Sequence, residues 1–88
     1  MDIVISNHAR FEMLRRQLSE EAVRSVAENP GQIVKLKKGR EVRHSKYYDS
    51  AQDKAMLLRV ICEERRNQLF VITAYRTSKI DKYWVKEE

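Results

Sequence analysis

The chain opens with Asp2-Ile3-Val4-Ile5, a β-branched run that reads as a strand or an extended lead-in. Ser6 and Asn7 follow, and either side chain can cap a helix by accepting from the free amides of its first turn. From His8 to Leu18 the apolar residues Phe11, Leu14 and Leu18 recur at helical spacing, and Met13 widens the stripe. That face is expected to be buried. Ser19 restarts the chain as a second N-cap, with Glu20 and Glu21 where the helix dipole favours negative charge. Ala22, Val23, Val26 and Ala27 make the apolar stripe of this second helix. Asn29-Pro30-Gly31 ends it, since proline cannot continue the hydrogen-bond ladder.

After Gly31 the period changes to that of strands. Residues 32–36 and 40–48 are predicted strands about a Lys37-Lys38-Gly39 turn. Residues 55–63 and 69–75 are the most apolar segments and the predicted central strands, joined across Glu64-Arg65-Arg66-Asn67. Asp49-Ser50-Ala51-Gln52-Asp53 is a loop, and 77–85 a last edge strand or a short turn of helix. Alternation puts Phe70, Ile72 and Ala74 on the face under the helices, and Leu69, Val71, Thr73 and Tyr75 on the other. Met56, Leu58 and Val60 share one parity, while Arg59 lies between Leu57 and Ile61 on the opposite one. The expectation is one α+β domain over 1–88, its helical part about 7–29 and its sheet part about 32–85. Two N-terminal helices pack on one face of an antiparallel sheet of about four strands, leaving an open, partly basic face with Arg59 and Tyr75.

Composition narrows the partners. Eighteen Lys and Arg against thirteen Asp and Glu leave a charge of +5, which favours encounter with polyanions such as RNA, or with an acidic protein. The lone Cys62 cannot form an internal disulfide, so a reducing, cytoplasmic setting is expected, and its apolar run argues for an inert buried thiol. No segment approaches ~20 apolar residues, so no membrane span is expected, and the N-terminus lacks the pattern of a signal peptide.

His8, His44 and Cys62 are not at metal-ligand spacing, and the two glycines make no phosphate-cradling loop. No metal or cofactor is expected. Arg, Lys and Tyr are instead well supplied and two His are present, and metal-free RNA cleavage through the 2′-hydroxyl needs an acid, a base and cations for the phosphate. The densest group is Tyr75-Arg76-Thr77-Ser78-Lys79 at the end of an apolar strand, with Tyr83 and Trp84 beyond it. Trp84 can equally plug the edge of the core. His8 begins a helix beside Glu12 and two turns from Arg15 and Arg16, either as a capping residue or as a base. His44 alternates with Val42 and Lys46 and is expected to be an exposed strand residue. Arg40, Arg43 and Lys46 line a phosphate track or a solvated strand edge.

His8-Ala9 opening a helix, Met13, Arg16, Leu18-Ser19 and Asn29-Pro30 resemble a widespread family of small prokaryotic domains of unknown function. Leu57-Leu58-Arg59-Val60-Ile61 and Val71-Ile72-Thr73-Ala74-Tyr75-Arg76 look like its second half, and the ending from Thr77 to Trp84 like one branch of it. That family is grouped by fold with the RelE/ParE-like toxins, which implies two helices against a curved antiparallel sheet. RelE-like members cut messenger RNA in the ribosome without metal, and ParE-like members bind DNA gyrase. His8, Arg16, Tyr75 and Arg76 match positions typical of the family; Glu12 stands where many members have Arg, and Gln17 where Gly is usual. The resemblance implies a toxin-like ribonuclease or RNA-binding protein with an acidic antitoxin partner. The alternative is a non-catalytic ParE-like module that binds gyrase or docks an antitoxin. In the nuclease expectation His8, Tyr75, Arg76 and Lys79 are catalytic, and Arg16, Arg43, Arg59 and Tyr83 hold substrate.

Overall fold

Ser6 and Ser19 each start a helix. In the computed structural model, which describes residues 1–86, Ser6 Oγ accepts from the Ala9 amide and Ser19 Oγ from that of Ala22, both at 3.0 Å. These caps open α1 (Asn7–Arg15) and α2 (Glu20–Glu28). Gln17 takes a left-handed φ of 57° between them, so that the Leu18 amide reaches back to the Met13 carbonyl at 2.8 Å. This is the helix-ending position that glycine most easily fills.

The buried stripe of α1 differs from the expected one. Ala9 and Met13 face the sheet, while Phe11 and Leu14 are 64% and 80% exposed. The helix carries more apolar residues than one face can bury, and polar bonding sets its phase. Arg16 Nη1 donates to the Ala74 carbonyl at 2.8 Å and to Thr73 Oγ1 at 3.2 Å, so residues 9, 13 and 16 form the inward line.

Five strands make the sheet: β1 (Asp2–Ile5), β2 (Gln32–Lys35), β3 (Arg40–Asp49), β4 (Lys54–Arg65) and β5 (Gln68–Thr77), with a single turn of helix, α3 (Ile80–Tyr83), after them. Their order is β1-β5-β4-β3-β2. Three pairs are antiparallel, but β1 runs parallel to β5, with Asp2 opposite Gln68 and Ile5 opposite Val71. The sheet is therefore mixed and five-stranded, not antiparallel with about four strands. The meander leaves one edge of β5 unpaired, and the β-branched lead-in satisfies the backbone groups of its first half. Lys38 and Gly39, and then Arg66 and Asn67, take positive φ at the two tight turns.

One irregularity redistributes the faces of β5. Register runs from Arg65 opposite Gln68 to Cys62 opposite Val71, then resumes with Ile61 opposite Thr73, so Ile72 is an extra residue in a bulge. Leu69 and Val71 consequently face the helices before the bulge and Ala74 does so after it, joining Ile5, Ala9, Met13, Val23, Ala27, Leu58, Val60 and Cys62 in the core. The expected placement of Phe70 and Ile72 under the helices is thus reversed. Phe70 stacks under Arg65, 4.8 Å from its centroid, on the other face. Burial pushes the Cys62 thiol up to about 12, which leaves it unreactive. No helix among the described residues is long and apolar enough to cross a membrane.

Candidate functional site

The loop at 50–53 sets Asp49 opposite Lys54, and counting back along the hairpin brings His44 opposite Arg59. The same hairpin logic places Gln32 opposite His44, and the bulge brings Tyr75 opposite Arg59. Without the extra residue Arg59 would meet Ala74, and Tyr75 would share the helix side with Leu58. Gln32, His44, Arg59 and Tyr75 therefore form one row across four strands, on the face away from α1 and α2.

This face is not open as expected. The C-terminal segment folds over it, because the row is flanked by apolar Val42 and Leu57, which lie on the same side and are closed from solvent. Tyr83 lies 4.0 Å from the Arg59 guanidinium and meets Tyr75 edge-on at 6.4 Å. Trp84 stacks on His44 with centroids 5.0 Å apart, and Lys46 Nζ approaches its ring at 4.3 Å. The side-chain amide of Gln32 holds the segment by donating to the Val85 carbonyl and accepting from its amide at 3.0 Å.

Two of these residues are buried without full polar satisfaction. Arg59 is 7% exposed, and its Nε and Nη1 have no partner; among the described residues no carboxylate pairs with it. His44 is 0% exposed, against the expectation of an exposed strand residue, and its Nδ1 is also unpartnered. The tautomer of His44 follows from Gln32. Val85 fixes that amide with Oε1 accepting, so His44 Nε2, 2.7 Å from Oε1, must carry the hydrogen. In the neutral ring Nδ1 is then a bare lone pair. Burial, and next the charge of Arg59, push the His44 pKa below its ordinary value of 6.5 and keep the ring neutral at pH 7. Burial raises the Tyr75 phenol against the pull of Arg59 and Arg16, whereas the adjacent Lys82 ammonium draws Tyr83 down.

The depressed His44 predicts how stability responds to acid. Below about pH 6.5 the unfolded chain binds a proton at this residue that the folded chain refuses, so stability falls with pH through that window. Thermal melts at about pH 7.5, 6 and 5 are expected to show a declining midpoint that a His44→Gln variant does not share over that range. Glu41 enters later. Burial alone would push its carboxyl up, but Lys35 and Arg43 hold it below 4.5, so its stabilisation is lost only at lower pH.

The structure unites only some of the residues singled out from the sequence. Arg59, Tyr75 and Tyr83 meet on this face. Arg76 points the opposite way, donating to the Arg16 carbonyl at 3.1 Å and lining a hollow of about 460 Å³ beneath the helices with Leu18, Tyr47 and Leu58. Arg43 is also on the helix side, bonded to the Ala27 carbonyl at 2.7 Å and to Glu41. Arg16 caps the free edge of β5, close enough to influence Tyr75. His8 lies about 12 Å further along α1, exposed and 3.9 Å from Glu12. Lys79 is exposed on the connection to α3. Gln32 and His44 are the members of the row that sequence reasoning missed. The turn lengths held the signal for His44, because hairpin counting alone brings it to Arg59.

Comparison with known proteins adds one finding. A family model described as a domain of unknown function, DUF4258, matches residues 5–76. No curated protein and no solved structure matches the chain.

Proposed function

We propose that this chain, which belongs to the DUF4258 family, binds single-stranded RNA along the Gln32–His44–Arg59–Tyr75 row and cleaves it without a metal ion, as a toxin-like protein. The observation that carries this reading is Arg59. A buried guanidinium with two unpartnered nitrogens is costly to hold in a folded protein, and an arriving phosphodiester pairs its charge by engaging Nε or Nη1 in a two-bond fork shared with Nη2. The flanking groups match what the reaction requires. His44 Nδ1 takes the proton from the 2′-hydroxyl, O2′ attacks phosphorus, the P–O5′ bond breaks, and Tyr75 protonates the departing O5′. The proton left on His44 returns to the Tyr75 phenolate through water. The products are a 2′,3′-cyclic phosphate and a 5′-hydroxyl end.

Placement along the row supports these roles. His44 and Tyr75 stand on either side of Arg59, their backbones two strand spacings or about 9.5 Å apart, so a phosphate held by Arg59 lies between them. His8 and Arg76 have no part in this scheme, the first by distance and the second because it serves the opposite face. The reading extends to a RelE/ParE-like classification of the helices-over-sheet arrangement, a cytoplasmic setting at the ribosome and a small acidic antitoxin. Exposed Phe11 and Leu14, beside Arg10 and Arg15, favour a second reading as a non-catalytic protein-interaction module that docks an antitoxin or gyrase.

The test is to incubate the folded protein with a labelled single-stranded RNA in EDTA, scoring binding and cyclic-phosphate ends. Cleavage with those ends supports the enzyme, and binding with intact RNA reduces it to an RNA-binding protein. No binding, together with growth arrest and DNA damage on expression, replaces it with the gyrase-binding module.

A further inference from the structure

Residues 79–86 lie beyond the stretch that the family model matches, and they are what closes the row from solvent. Their hold on the sheet is small. The helical part is one turn with no side-chain cap and no buried residue. The segment's attachments to the sheet are side-chain contacts: the Tyr83 ring on Arg59 and edge-on to Tyr75, the Trp84 ring between His44 and Lys46, and the pairing of Val85 with the Gln32 amide. A hollow of about 350 Å³ between Lys46, Ile80, Asp81 and Trp84 undercuts the segment on one side.

The two rings rest on the groups that a nucleic-acid site uses for bases. A guanidinium plane and an imidazole are stacking platforms for any nucleobase. His44 and Arg59 are direct cross-strand partners, so their platforms start about 5 Å apart, within the span of adjacent nucleotides. We infer that Tyr83 and Trp84 occupy the positions of two successive nucleobases, and that residues 79–86 are a strap competing with single-stranded RNA for the sheet. The inference rests on the RNA reading above and adds how access to that site is regulated. RNA binds when the strap swings out; over residues 79–88 Lys79, Lys82 and Lys86 balance Asp81, Glu87 and Glu88, so the displaced strap brings no excess of negative side chains against the incoming backbone. Because the strap is covalently tethered, its occupancy lowers apparent affinity by the fraction of time it is closed.

Trp84 is the only tryptophan and reports the strap directly. Titrating the full chain with oligouridylate in EDTA is expected to shift its emission to the red as the ring leaves His44. Trp84→Ala is expected to bind about tenfold more tightly. Gly31→Ala, whose new Cβ would lie 3.1 Å from Trp84 Cη2, moves affinity in the same direction. Binding that depends on Arg59 but leaves Trp84 emission and the affinities of both variants unchanged overturns the strap and leaves the RNA reading standing. Absence of binding by both the full chain and a folded Trp84→Ala variant overturns both. If Trp84→Ala does not fold, the emission of the unaltered chain and the Gly31→Ala affinity decide the question.

Discussion

Arg59→Met is expected to lower RNA affinity about 100-fold while raising the thermal midpoint of the folded protein. The two effects have one cause. Arg59 sits in the middle strand of the sheet, closed from water, with Nε and Nη1 unpartnered. Removing a charge that the folded protein leaves unpaired relieves its desolvation cost, and methionine fills similar space without polar atoms. The loss of its contact with Tyr83 offsets part of that, at about 0.5–2 kcal/mol. A net gain of about 1 kcal/mol corresponds to a rise of about 4–8 °C for a domain of this size. For RNA the same change removes a bidentate phosphate contact, about 2.8 kcal/mol at 100-fold. Calorimetry and fluorescence polarisation on one preparation check both halves. A destabilised variant that still binds RNA would identify Arg59 as a structural cation and remove the basis of the proposed function.

His44→Gln is expected to slow cleavage of bound RNA by about 10²–10⁴-fold and to lower RNA affinity by no more than about tenfold, since the stacking platform lost to the RNA is also the one that holds Trp84. Glutamine keeps a donor for Gln32 Oε1 but offers no base at neutral pH, whereas the native ring presents an unprotonated Nδ1. Single-turnover cleavage and equilibrium binding separate the two quantities. Because the His44 pKa lies below its ordinary value, the acid limb of the cleavage profile is expected below pH 6.5 and absent from the variant's residual rate. Equal single-turnover cleavage by both proteins at saturating RNA would move the base elsewhere and leave His44 only its part as a stacking platform.

The difference between expectation and structure is instructive at α1 and β5. Both serine caps, the proline stop and the Lys38-Gly39 and Arg66-Asn67 turns act within a few residues, and they appear where the sequence indicated. The phase of α1 did not, because Phe11 and Leu14 compete equally well for burial until Arg16 finds the Ala74 carbonyl across the chain. The face assignment in β5 failed for residues before the bulge and succeeded at Ala74 after it. Strict alternation carries no mark of an inserted residue, and one such residue exchanges the faces on either side of it.

The candidate site shows the same division. Arg59, Tyr75 and Tyr83 were legible as candidate chemistry, since cations and phenols are the groups a basic chain would turn to a polyanion. Their convergence was not, nor was the burial of His44, because both depend on register across three strand pairs and on a C-terminal segment that doubles back. The amino-acid order by itself determined the caps, the turns, the basic charge and the α+β class, all of which follow from interactions between near neighbours or from composition. The partner of β1, the inward face of α1 and the row beneath Tyr83 and Trp84 were decided only by tertiary structure. Their free energies are differences between competing long-range pairings, and no local stretch of chain contains both competitors.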